Sequence, residues 1–213
     1  MDYLYLHGFA SSPQSAKAQF LQQQFANVGA TLHILDLNQG DFAHLTLSRQ
    51  IEQAIAWIGD RPQVTIIGSS FGGLTAGWIA EQPQVAAQIQ QLVLLAPALA
   101  FLEQWLPRLG NETVAQWRET GWLAVYHYGQ GEQRPLAYNF ITDAQKYDER
   151  QLQTATATLI LHGLHDDVIN IQASRDYAAS RAWATLVELE SDHSLGNVQT
   201  QIWKEIQTFL DLA

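Results

Sequence analysis

The 213 residues carry 11 basic and 21 acidic side chains, a net charge of −10 without any Lys/Arg cluster, which argues against nucleic acid or an anionic membrane surface as partner. Apolar residues make up 47% of the chain, so one globular domain over residues 1–213 is the simplest organisation. Cysteine is absent, which removes disulfides, thiolate metal ligands and cysteine nucleophiles.

The first predicted strand, Tyr3 to Leu6, starts almost at once and runs into the Gly/Ser/Pro loop His7-Gly8-Phe9-Ala10-Ser11-Ser12-Pro13. No basic segment with an apolar run precedes it and no stretch reaches membrane-spanning length, so a cytoplasmic location is expected. Helical spacing follows from Ser15 to Val28, with Gly29 as its stop. Thr31–Leu37 reads as the second strand and Ser48–Ile58 as the second helix, with Ile51, Ile55 and Ile58 on one face. Gln63–Ile67 and Gln91–Leu95 are the third and fourth strands, separated by a helix over Phe71–Glu81. From Ala98 to about Ala155 no strand is evident. Aromatic, helix-like pieces there, broken by glycines and Pro107 and Pro135, predict a helical cap over 98–155. Alternation then resumes with strand Ala157–Leu161, helix Ile171–Ala179, strand Thr185–Leu189 and an amphipathic helix over Gln199–Leu212.

Strand alternating with helix predicts an α/β fold, a three-layer α/β/α sandwich around a six-stranded parallel sheet. With strand order 2-1-3-4-5-6, ligands are expected beyond the carboxyl ends of strands 1 and 3, where neighbouring connections diverge to opposite faces. Strand 3 ends in Gly68-Ser69-Ser70-Phe71-Gly72, a G-x-S-x-G arrangement between a β-branched strand and a helix. In that context the pattern reads as a nucleophile elbow: a tight, strained turn lifts the Ser70 hydroxyl above the sheet, and small neighbours let strand and helix approach. A phosphate loop is excluded, since Gly73-Leu74-Thr75 stands where Gly-Lys-Ser/Thr is needed.

A serine hydroxyl needs a base to take its proton, and the base needs an acid to fix its tautomer. Beyond strand 5 lies His162-Gly163-Leu164-His165-Asp166-Asp167-Val168, and beyond strand 6 lies Glu190-Ser191-Asp192-His193-Ser194. Asp166 and His193 complete the chain order serine, acid, histidine found in α/β-hydrolases. Ser69 is the rival nucleophile, off-centre in the motif, and Asp167 is the rival acid, since spacing alone does not rank adjacent carboxylates.

Over essentially its whole length the chain resembles the α/β-hydrolase superfamily. Its compact size and His-Gly-Phe-x-Ser-Ser-Pro opening look like the small bacterial YqiA-like esterases. The resemblance implies Ser70 as nucleophile, His193 as base, Asp166 from an H-G-x-x-D-x-V acid loop, and N–H groups of Phe9 and Phe71 as the oxyanion hole. It also implies that the usual first antiparallel hairpin is missing, since the chain begins at the His-Gly strand.

His7 is expected to brace the oxyanion loop, His162 to bond backbone near the acid loop, and Asp192 to stabilise its own loop. His165 lines the site or faces water, while His33, His44 and His127 are surface or packing residues. No metal-ligand spacing appears, and no cofactor is implied. The expected function is a carboxylesterase on small acyl esters. A thioesterase or amidase with the same triad, or a non-catalytic ligand-binding member of the fold, are the alternatives. Substrate-binding residues and oligomeric state are not legible.

Overall fold

The computed structural model describes residues 1–212. In chain order the body opens with β1 (Asp2–Leu6), α1 (Ala16–Asn27), β2 (Leu32–Leu35), α2 (Leu47–Ile58), β3 (Val64–Ser69), α3 (Phe71–Ala80) and β4 (Ile89–Leu95). A cap segment follows: α4 (Phe101–Leu109), α5 (Asn111–Thr120), β5 (Trp122–His127), β6 (Glu132–Ala137) and α6 (Asn139–Ala144). The body closes with β7 (Ala157–Gly163), α7 (Gln172–Ala179), β8 (Ala184–Leu189) and α8 (Gln199–Leu210). Six strands form one parallel sheet in the order β2-β1-β3-β4-β7-β8, the predicted order once the two cap strands are counted in the numbering.

Helices cover both faces of this sheet. Every residue of β3 is buried, with Ile66 packed into one core and Ile67 into the other, as period-two alternation requires. On one side Leu21 and Phe25 of α1 meet Ile202, Trp203 and Ile206 of α8. On the other, α2 and α3 supply Ile51, Ile58, Leu74 and Trp78. All ten residues of α3 are buried, so this helix needs no polar face. Ser15 and Thr46 cap α1 and α2 by accepting the N–H groups of Ala18 and Arg49. Each cap contributes about 1 kcal/mol.

The cap departs from the predicted all-helical insertion. Its middle is an antiparallel hairpin, β5 paired with β6 from Trp122 opposite Ala137 to His127 opposite Glu132. Leu123 and Val125 turn toward the core while Trp122 and Tyr126 are exposed, so the strand alternates in burial. The sequence hid this because Trp122-Leu123-Ala124-Val125-Tyr126 is apolar on both faces, leaving no polar/apolar contrast to read. Pro135 also reads as a break, yet it sits opposite Ala124 in a two-stranded ribbon, where a missing ladder N–H is tolerated at an edge.

Cap and body meet in an aromatic cluster. Phe9 lies with ring centroids 5.4 Å from Trp105 of α4 and 5.2 Å from Phe140 of α6. Phe71 lies 4.9 Å from Phe101 and 5.4 Å from Phe140. The cap is thereby seated on the two loops that follow β1 and β3.

Candidate active site

Ser70 joins β3 to α3 at φ 53° and ψ −119°, a conformation that costs a non-glycine residue about 1–3 kcal/mol. The turn is held on both sides. The Ser70 N–H donates to the Leu95 carbonyl at 2.9 Å, and its own carbonyl accepts from Gly73 (2.8 Å), Ala98 (3.0 Å) and Leu74 (3.2 Å). The glycines of the motif answer to backbone approach. A Cβ on Gly68 would drive into the Gly72 carbonyl and lie 2.7 Å from the Gly73 Cα. One on Gly72 would drive into the Leu6 carbonyl and lie 2.6 Å from the His7 oxygen. Strand, helix and β1 are packed as closely as peptide groups allow.

Two loops from the far side of the sheet reach this turn. His193, four residues beyond β8, has Nε2 at 3.1 Å from the Ser70 Oγ and Nδ1 at 2.7 Å from the Asp166 Oδ2. Asp166 follows β7 and its side chain is fully buried. Its Oδ1 accepts the N–H groups of Val168 (2.8 Å) and Ile169 (2.7 Å). Its Oδ2 lies 3.1 Å from the His162 Nε2. Burial pushes the Asp166 carboxyl upward. The hydrogen bonds from His162, His193 and the Ile169 N–H outweigh that and hold it well below its ordinary value. An ionised Asp166 makes Nδ1–H the donor on His193 and leaves Nε2 free to accept the Ser70 hydroxyl proton.

The loop after β1 lies against the same hydroxyl. A Cβ on Gly8 would stand 3.2 Å from the Ser70 Cβ and 3.7 Å from its Oγ. His7 is buried and braces this loop: its Nε2 accepts the Leu37 N–H at 3.0 Å, so Nδ1–H donates to the Gly8 carbonyl at 2.9 Å. Among the described residues neither the Phe9 nor the Phe71 N–H donates to a protein acceptor. All five residues singled out from the sequence thus gather at the carboxyl ends of β1, β3, β7 and β8.

The rivals sit elsewhere. Ser69 is buried with its Oγ accepting from the Lys17 ammonium at 3.1 Å. Asp167 is exposed. Asp192 accepts from the N–H (3.0 Å) and hydroxyl (2.6 Å) of Ser194, fixing its own loop. His165 is exposed and pairs with Glu190. His44 pairs with Asp41 on the surface, His33 packs on Trp57, and His127 is buried against Phe42.

Two features escaped the sequence reading. His162 bonds not only the Ile169 carbonyl (3.1 Å) but Asp166 itself, its Nδ1 accepting from Ser174 at 2.8 Å. The four-residue offset between His162 and Asp166 held no warning, because a turn rather than a helix brings them together. Lys17 is the other, one lysine among three with no motif around it. Among the described residues no group of three His, Cys, Asp or Glu side chains is arranged to hold a metal ion. No described helix is long and apolar enough to cross a membrane.

A parallel sheet in this order, with helices on both faces and a serine on a strained turn after its third strand, is the α/β-hydrolase fold. The chain belongs to the family described as "Uncharacterised protein family (UPF0227)", which matches residues 2–210. Solved structures share the fold at low identity. Est1E from Butyrivibrio proteoclasticus, seen with ferulic acid bound, is 18% identical at a TM-score of 0.82, covering 99% of this chain and 88% of its own. The Paleococcus ferrophilus monoacylglycerol lipase is 16% identical at a TM-score of 0.79, covering 99% of this chain and 94% of its own. Mouse alpha/beta hydrolase domain-containing protein 10 is 17% identical at 0.78, covering 99% and 89%.

Proposed function

We propose that this protein is a serine hydrolase, a carboxylesterase acting on small acyl esters. The observation that carries the reading is the His193 ring, hydrogen-bonded at one nitrogen to a buried carboxylate and at the other to a serine on a strained turn. In the reaction Ser70 attacks the ester carbonyl carbon as its proton passes to Nε2 of His193. Asp166 stays ionised, orients the ring and offsets the imidazolium charge. The N–H groups of Phe9 and Phe71 receive the developing oxyanion, each worth about 3 kcal/mol in the transition state. His193 then gives its proton to the leaving alcohol. Water, deprotonated by the same nitrogen, releases the acid and restores Ser70.

Labelling with a fluorophosphonate probe tests the assignment: wild type should label and Ser70→Ala should not. Ester turnover by Ser70→Ala should fall on the order of a million-fold. Equal labelling of the two proteins would remove Ser70 as nucleophile. A panel of p-nitrophenyl esters, acyl-CoA thioesters and anilides then separates esterase from thioesterase or amidase.

A further inference from the structure

Beneath the elbow lies a polar network that the chemistry above does not use. Lys17 enters from the first turn of α1, its stem half-exposed and its ammonium enclosed. Nζ donates to the Ser69 Oγ at 3.1 Å. Ser69 ends β3, which pairs in parallel with β1, and Ser15 caps the helix that carries Lys17. A side-chain bond therefore ties α1, through Lys17, to the last residue of β3, Ser69. Ser69 is buried. Among the described residues Lys17 is the one Lys or Arg whose side chain bonds the elbow.

A lysine ammonium in such a place is costly unless other groups compensate it. Besides Ser69, the charged groups acting on it are Asp166 after β7, which bonds His193, and Asp192 after β8, the neighbour of His193 in sequence. Burial pushes the amine down to about 8, while the two carboxylates pull it up. A strained residue persists only where its surroundings over-determine it. The residue immediately before Ser70 is the one bolted to α1.

Resting on the hydrolase reading, we propose that Lys17 is a positioning residue: its ammonium pins Ser69 from below and so holds the strained turn that aims Ser70 at His193. Lys17 touches no reacting atom.

The test uses the full-length protein, measuring fluorophosphonate labelling rates together with kcat and KM for p-nitrophenyl acetate. Lys17→Met should lower kcat and the labelling rate about tenfold with KM within about twofold, the mark of lost alignment rather than lost binding. Ser69→Ala should reproduce the loss, and the double variant should be no worse than the poorer single one. The wild-type rate should decline as the pH rises through about 8, where the amine loses its charge. Lys17→Arg, which stays charged, should recover part of the rate and carry the decline to higher pH. A Lys17→Met rate within twofold of wild type at about pH 7, or additive losses in the double variant, overturns the proposal. Wild type that fails to label at all overturns the Ser70 reading itself and this proposal with it.

Discussion

Asp166 carries more of the site than any other side chain: four groups converge on its two oxygens, and no part of it reaches solvent. Its charge has two consequences. For the proposed chemistry, Asp166→Asn leaves the shape intact but presents an amide to His193, favouring the wrong tautomer. We expect kcat to drop by about four orders of magnitude with the fold retained, as judged by circular dichroism. For stability, a carboxyl held below its ordinary value of 3.8 contributes fully above that pH and loses its contribution as the pH falls beneath it. Urea titrations at about pH 5 and pH 3 should therefore show wild type losing more stability than Asp166→Asn; equal losses would mean that the carboxylate is not held as its partners imply.

At the scale of elements, the hairpin is the piece with a sensitive joint. His127 at the end of β5 is buried edge-on to Phe42, and neither ring nitrogen has a hydrogen-bond partner. Burial pushes its pKa below the ordinary 6.5, with the charge of Arg134 acting in the same direction and Asp36 against it. A histidine depressed in the folded state stabilises it above the ordinary value and ceases to do so as acid protonates the ring. Hydrogen exchange should show β5 and β6 losing protection between about pH 7 and pH 5.5, more steeply than the parallel sheet. His127→Phe should flatten that dependence. A hairpin equally protected at both pH values would show that the buried ring is no constraint. The hairpin also marks where local pattern reading fails: a strand apolar on both faces looks like a broken helix until its partner is found.

Across the whole molecule, the net charge of −10 acts on any substrate before contact. The field is repulsive for anions, and salt screens it within about 8 Å at physiological ionic strength. Under the esterase reading, kcat/KM for an anionic ester such as a p-nitrophenyl hemidicarboxylate should rise between about 20 and 200 mM salt. The neutral p-nitrophenyl acetate should stay flat over the same range. A flat response for both would show that the acidic surface lies too far from Ser70 to matter.

What the amino-acid order settled by itself is the part with short-range causes. Alternating apolar runs and helical periods yielded the sheet and its order. A glycine–serine turn after a β-branched strand marked Ser70, because the crowding at Gly68 comes from Gly72 and Gly73, within five residues. The centre of the G-x-S-x-G motif favoured Ser70 over Ser69, whereas spacing left Asp166 and Asp167 unranked and only the resemblance to a known acid loop pointed to Asp166. Tertiary structure alone decided the rest. The Lys17–Ser69 bond spans 52 residues and the His193–Ser70 bond 123, so no window of sequence contains both partners. The Asp166–His193 bond likewise exists only once parallel strands carry distant loops to one edge. Buried polar groups find their partners through the fold, and their cost falls only when the whole sheet has assembled around them.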